Sequence, residues 1–178
     1  MTTVDLLIFE FPSEKQAAQA LDYLRSMKNE KVISILDAAL ISHDTNGKIH
    51  IKETADPGGK QGALFGAVIG TLIGFLGGPV GAVIGAAAGA GVGGFAAQKI
   101  DMGIPNDRMK DIADALQPGK SAIVALIEQI WAKQAADEMQ KFDANVIREN
   151  IREEISSHLV KLGGSEGLES TDTADKQS

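Results

Sequence analysis

His43 and His50 flank an Asn46-Gly47 turn with Asp44 between them, and two imidazoles beside a carboxylate form a metal-ligand set if a hairpin brings them together. Histidines at strand ends are far more often simply solvated. His158 is the only other histidine and cysteine is absent, so no ligand spacing supports a metal centre. Gly89-Ala90-Gly91-Val92-Gly93-Gly94 satisfies G-x-G-x-x-G, the pattern that lets a backbone approach a pyrophosphate. A dinucleotide site needs a strand before that pattern and a helix opening at it, whereas here the preceding residues already belong to a four-spaced glycine stripe. Gly119-Lys120-Ser121 has the form of a phosphate-loop end, but Asp114 stands where the first glycine is required and a strand follows, so it reads as a helix stop. Asp107, Asp111 and Asp114 around Lys110 read as a solvated helix face. Arg148, Glu149, Arg152, Glu153 and Glu154 read as charge pairs along a helix. There is no Ser-His-Asp elbow, no H-E-x-x-H and no EF-hand loop. The chain is therefore read as non-enzymatic, with no catalytic, cofactor-binding or metal-ligating residue.

The most specific pattern does no covalent chemistry. Gly62, Gly66, Gly70 and Gly74 are spaced by four, and Gly81, Gly85, Gly89 and Gly93 repeat that spacing. Four-residue spacing puts each set along one stripe of a helix. A stripe without side chains lets another helix backbone approach closely. Each glycine costs a helix up to about 1 kcal/mol relative to alanine, so eight in register imply a compensating contact. Gly77-Gly78-Pro79 between the runs is a turn signal, and the two arms are expected to fold back as an antiparallel helical hairpin. The eight spaced glycines are the expected oligomerisation residues.

No charge occurs between Lys60 and Lys99, and the only polar side chains there are Gln61, Thr71 and Gln98. Leu64, Phe65, Val68, Ile69, Leu72, Ile73 and Leu76 therefore need an apolar neighbour. Either the hairpin enters a bilayer from the cytoplasmic side, leaving Lys60 and Lys99 at the surface, or several hairpins bundle in water. Each arm, at roughly 16 to 18 residues, is short for a comfortable span of about 20. The second arm, Val80 to Ala97, is mostly alanine and glycine. A short dip into the membrane, or an oligomer in a thin one, suits these lengths better than two independent spans.

The elements around this segment follow from periodicity. Val4 to Phe11 is a predicted strand, Ser13 the N-cap of a helix burying Ala17, Ala20, Leu21, Leu24 and Met27, and Lys31 to Ser42 a second strand. Asn46-Gly47 predicts a type I′ turn into a third strand around Ile49 and Ile51. Pro105 to Leu116 is a predicted helix stopped by Pro118-Gly119. Ser121 to Ile127 is a near-continuous apolar run, so a central strand is expected. Trp131 to Phe142 is a predicted helix, with Trp131 a candidate interfacial anchor or an edge residue of the core. A short strand, Ala144 to Arg148, and a helix, Ile151 to Leu162, follow. This alternation predicts an α+β fold: a ferredoxin-like sandwich, helices on one face of a mixed sheet, with the glycine-zipper hairpin inserted. The expected organisation is 1–56 and 101–162 as the halves of one domain, 57–100 as the hairpin and 163–178 as a disordered tail.

The bulk properties narrow the partners. A formal net charge of −7 disfavours nucleic acid, and no basic cluster for lipid headgroups stands out, so membrane attachment would come from apolar burial. The start, Met-Thr-Thr-Val-Asp, has no basic region leading into an apolar one, so the chain is expected to stay where it is made.

The strand-helix-hairpin opening, the string GALFGAVIG and the block DMGIPNDRMKDIADALQPGKSAIVALIE together resemble the bacterial domain-of-unknown-function twelve-sixty-nine family, from about Val4 to about Leu162. The most telling pieces are Gly62, Gly66 and Gly70 and the block from Gly103-Ile104 to Pro118-Gly119. The resemblance implies a membrane protein with a ferredoxin-type domain and a glycine-zipper hairpin, and brings no reaction or cofactor. The alanine-rich second arm and the polar tail depart from the family pattern. The expected function is a self-associating structural or scaffolding protein on the cytoplasmic face of the inner membrane, its partners being itself and lipid. The alternative is a soluble cytoplasmic oligomer whose hairpins form a bundle or tube enclosing an apolar ligand. A small-molecule sensor or enzyme built on the α+β domain is a third reading.

Overall fold

Alternate residues of Val4–Phe11 are apolar on both sides of the strand, which suits a strand covered on both faces. A computed structural model of the chain describes residues 3–53, 65–66, 69–70, 104–154, 156–157 and 160, apart from the side chains of residues 53, 106, 109 and 113–115. In it β1 (Val4–Phe11) leads to α1 (Glu14–Asn29), β2 (Ile35–His43) and β3 (Ile49–Glu53). Then come α2 (Asn106–Ala115), β4 (Ser121–Glu128), α3 (Gln129–Met139), a 3-10 turn (Gln140–Phe142) and β5 (Asn145–Asn150). Residues 153, 154, 156, 157 and 160 are helical.

Local chemistry sets most boundaries. Ser13 is the N-cap of α1, its hydroxyl accepting from the Gln16 amide at 3.3 Å. At the other end Lys31 is left-handed (φ 57), and the Val32 and Lys31 amides donate to the Met27 and Lys28 carbonyls. That is a Schellman stop, and it ends the helix where Lys31 to Ser42 was predicted to begin a strand. Val32 and Ile33 therefore belong to the connection, and β2 starts at Ile35.

The β2–β3 turn also departs from expectation. Gly47 has φ +80, but Asn46 is not among the positive-φ residues, and type I′ needs both. The Gly47 amide donates to the Asp44 carbonyl and the Asp44 amide to the Lys48 carbonyl, the bonds of a three-residue loop closed by a left-handed glycine.

The sheet has five strands in the order β3-β2-β4-β1-β5, and every neighbouring pair is antiparallel. This overturns the ferredoxin-like sandwich and its mixed sheet. The β2–β3 hairpin places an extra strand outside β2, and helices cover both faces rather than one. On the first face, Val4, Leu6, Ile8, Ala39, Ile41, Val124 and Leu126 are capped by Ile112 and Leu116 from α2, by Phe65 and Ile69, and by Ile151. On the second, Leu7, Phe9, Leu40, Ile123 and Ile127 meet α1 and α3 through Ala17, Ala20, Leu21, Leu24, Ala132, Ala135 and Met139. Each large side chain in these layers contributes about 1.5–3 kcal/mol by leaving water. The α+β class stands, and β4 is central, between β2 and β1, as its unbroken apolar run predicted.

No helical hairpin is evident among the described residues. Of the expected arms only residues 65, 66, 69 and 70 are described, as helix laid on the sheet. Gly62, Gly74, Gly77, Gly78, Pro79, Gly81, Gly85, Gly89 and Gly93 lie outside the described residues, as does the tail 163–178.

Candidate functional site

Phe65 and Ile69 are four apart, so they share one helix face, and both are 2 % exposed in the first-face core. Gly66 and Gly70 form the adjacent stripe and are half-buried. A Cβ built on Gly66 would meet no heavy atom within 4 Å. The two apolar side chains thus clamp this stretch to the sheet and leave room beside Gly66. Among the described residues, no crowding calls for the glycine there.

The candidates for chemistry disperse. Ser42 pairs with His50 and His43 with Ile49 across the β2–β3 ladder, so the two histidines face opposite sides of the sheet. His43 Nδ1 donates to the Leu116 carbonyl at 2.9 Å, and His50 Nε2 donates to Asp44 Oδ2 at 3.2 Å. The other Asp44 oxygen accepts from the Asn46 and Lys48 amides, each at 2.8 Å. Asp44 is thereby a turn-forming residue, its carboxyl held below the ordinary range first by the Lys48 amide. Among the described residues no group of three or more His, Asp or Glu is placed to hold a metal. Gly119 has φ +90, its amide donates to the His43 carbonyl at 2.7 Å, and the Lys120 amide donates to the Gln117 carbonyl. With those amides used, residues 117–120 form a turn after α2 that is tied to β2 and leads into the buried Ser121.

Two members of the predicted charge run, Arg148 and Glu149, lie on a strand and not on a helix, and they pair with different partners. Arg148 and Glu149 lie on β5, on opposite faces of it. Arg148 binds Asp5, and Arg108 of α2 donates to Glu149 at 2.6 and 3.0 Å. Asp107, Lys110 and Asp111 are exposed, as the solvated-face reading expects.

A scan against protein families finds one match, to the family described as "Protein of unknown function (DUF1269)", over residues 63–162 and so more than half of the chain. The chain belongs to this family. No curated protein and no solved structure matches it. The part of this DUF1269 member that matches contains the helical turn at Phe65, α2, β4, α3 and β5. It omits β1, to which both β4 and β5 are hydrogen-bonded. The matched stretch therefore lacks the strand that joins its own two.

Sequence reasoning missed the residues whose roles are set by distant partners. Asp5 is 1 % exposed on a strand whose other residues, Glu10 apart, are apolar, and its Arg148 partner, 143 positions away, explains it. Ser156 is fully buried and accepts the Val4 amide, 152 positions away, at 2.6 Å.

One titrating cluster joins α1 to α3. The Tyr23 hydroxyl donates to Glu138 Oε2 at 2.6 Å, Lys141 Nζ donates to the same oxygen at 2.5 Å, and the Tyr23 ring lies 5.5 Å from that of Phe142. Lys141 first, then Tyr23, holds Glu138 below the usual carboxylate range. Glu138 in turn raises both Lys141 and Tyr23. A depressed carboxylate contributes stability that is present above about pH 4 and lost as pH falls through its folded value. A raised lysine or tyrosine contributes stability that is present below about pH 10 and lost as pH rises through its folded value. The melting temperature should be level across the neutral range and fall on both sides. Glu138→Gln should lower it by about two degrees at neutral pH, as for other solvent-screened pairs, and flatten both limbs. A pH series of thermal melts checks this; an unchanged alkaline limb in the variant counts against the cluster.

Proposed function

We propose that this protein is non-enzymatic and self-associating, assembling through the glycine-rich segment 61–98 at a membrane surface, on the cytoplasmic face of the inner membrane. The observation that carries this reading is the open stripe at Gly66 beside the buried pair Phe65 and Ile69. A glycine inside a helix costs about 1 kcal/mol against alanine. The space around Gly66 would accept a Cβ, so compensation has to come from a surface outside the chain's own described packing. A second backbone running along the stripe supplies it. Lipid as a partner is supported by the 38 uncharged residues between Lys60 and Lys99. No described helix is long and apolar enough to cross a membrane. The alanine and glycine content of Val80 to Ala97 supports a second reading, a soluble oligomer whose segments seal an apolar bundle or tube around an apolar ligand.

Light scattering on the full chain tests self-association, in plain buffer and in detergent. Gly66→Leu should weaken association at least tenfold, about 1.4 kcal/mol, with little change in the melting temperature of the folded unit. Lys133→Ala, at an exposed site paired to Asp137, should change neither. A wild-type monomer in both media, or a Gly66→Leu variant that assembles normally, refutes the proposal. Cell fractionation separates the two readings, because release without detergent argues against lipid.

A further inference from the structure

Residues 45–48, between β2 and β3, are exposed, and they include Asn46 followed by Gly47. Asparagine is a heat-labile residue. The nitrogen of the residue after it can close a succinimide ring on its side-chain amide carbon, Cγ, and Gly47 has no side chain to stand in the way. In the folded loop that nitrogen is engaged. The Gly47 amide donates to the Asp44 carbonyl at 3.0 Å, and Gly47 is held at φ +80. The amides on either side, of Asn46 and Lys48, both donate to Asp44 Oδ1 at 2.8 Å. Asp44 thus fixes three consecutive amides through one carboxylate oxygen and one carbonyl. β3 rests on this loop, because among the described residues its only strand neighbour is β2.

We propose that Asn46 is a site of spontaneous deamidation and that Asp44 sets its rate. The Gly47 nitrogen loses its proton to hydroxide and attacks Asn46 Cγ. The Cγ–Nδ2 bond breaks, ammonia leaves with a proton taken from water, and a succinimide ring remains. Water then opens the ring. Breaking the bond between the Gly47 nitrogen and Cγ gives aspartate in a normal chain. Breaking the bond between that nitrogen and the Asn46 backbone carbon gives isoaspartate, whose chain runs through Cβ and Cγ. In sum, the side-chain amide and water become an acid and ammonia, with nothing oxidised or reduced. The ring nitrogen carries no hydrogen, so the ring and the bond from Gly47 to Asp44 exclude each other. The reaction therefore runs from the opened loop, and its rate follows the open fraction. Isoaspartate lengthens the backbone of a three-residue loop, so β3 loses its anchor. The other four strands keep their pairing, because β3 touches only β2.

The full chain is incubated at mildly alkaline pH, and the loop peptide is followed by mass spectrometry, with isoaspartate read by enzymatic carboxyl methylation. Folded wild type should convert more slowly than the same chain in urea. Asp44→Ala removes the carboxylate oxygen that accepts two amides and should speed conversion about tenfold. Asp44→Asn keeps an acceptor oxygen and should fall between the two. Arg148→Met weakens the fold at the opposite edge strand and should leave the rate unchanged, because the loop opens locally. In aged protein the amides of β3 should exchange with solvent faster while those of β4 do not. Asn46→Asp, with its normal backbone, should exchange like fresh protein. Folded wild type that converts as fast as in urea, or Asp44→Ala at the wild-type rate, overturns the guarding role of Asp44. No conversion at Asn46 even in Asp44→Ala overturns the site itself. Equal acceleration by Arg148→Met and Asp44→Ala overturns local opening.

Discussion

Phe65→Ala lowers the free energy of unfolding by about 3–5 kcal/mol, the cost of emptying a well-packed aromatic site in a core. Phe65 is 2 % exposed in one cluster with Val4, Leu6 and Ile8 of β1 and Ile112 of α2, side chains that are themselves fully covered, so the site cannot collapse cheaply. Ile69→Ala costs about 2–5 kcal/mol by the same mechanism. The double variant loses less than the sum, because the two residues share one cavity wall. Urea unfolding of the three variants gives these numbers. If the reading of the glycine stripe holds, Phe65→Ala also weakens self-association, since the clamp that presents Gly66 and Gly70 is gone. Should Phe65→Ala cost less than about 1 kcal/mol, the turn is not held to the sheet and the stripe has no fixed direction.

Arg148→Met should cost about 3 kcal/mol, because it leaves the Asp5 carboxylate buried without its cation. Both Arg148 Nε and Arg148 Nη2 donate to Asp5 Oδ2, and Arg148 itself is 42 % exposed, so the guanidinium covers the carboxylate from the solvent side. Replacing both partners, Asp5→Leu with Arg148→Met, should recover most of the loss, since the neighbours of Asp5 on that face are Leu7 and Phe9 and an apolar pair needs no desolvation of charge. Equilibrium unfolding of the four proteins in the cycle decides it. A double variant no better than Arg148→Met would mean that the pair is doing more than satisfying itself, for example holding β5 in register on β1.

These two expectations differ in how much of them is readable along the chain. Phe65 and Ile69 announce themselves as an apolar pair four apart beside a glycine pair four apart, and helical geometry alone puts each pair on its own stripe. Asp5 reads as a blemish in an apolar strand until Arg148 is brought beside it. The same division runs through the fold. β1 has the boundaries its apolar run predicts, and Ser13 caps α1 because the cap contact spans three residues. The strand predicted from Lys31 was misplaced because Val32 and Ile33 look like strand residues, while the bonds that end α1 at Met27 and Lys28 outcompete that propensity. The two histidines near the turn seemed neighbours in sequence, yet the ladder register set them on opposite faces.

From its residues alone this chain shows where most of the described helices and strands lie, that β4 is apolar on both sides, and that residues 61–98 are uncharged and glycine-striped. Those are short-range properties, set by steric preference and by a hydrophobic period within one element. Only the tertiary structure decided that β1 separates β4 from β5, that β3 adds a fifth strand at the edge, that helices cover both faces, and that Phe65 anchors the glycine-rich segment to one of them. Strand order and face assignment depend on which distant surfaces exclude water together. That choice is cooperative over the whole chain, so no single stretch of residues carries it.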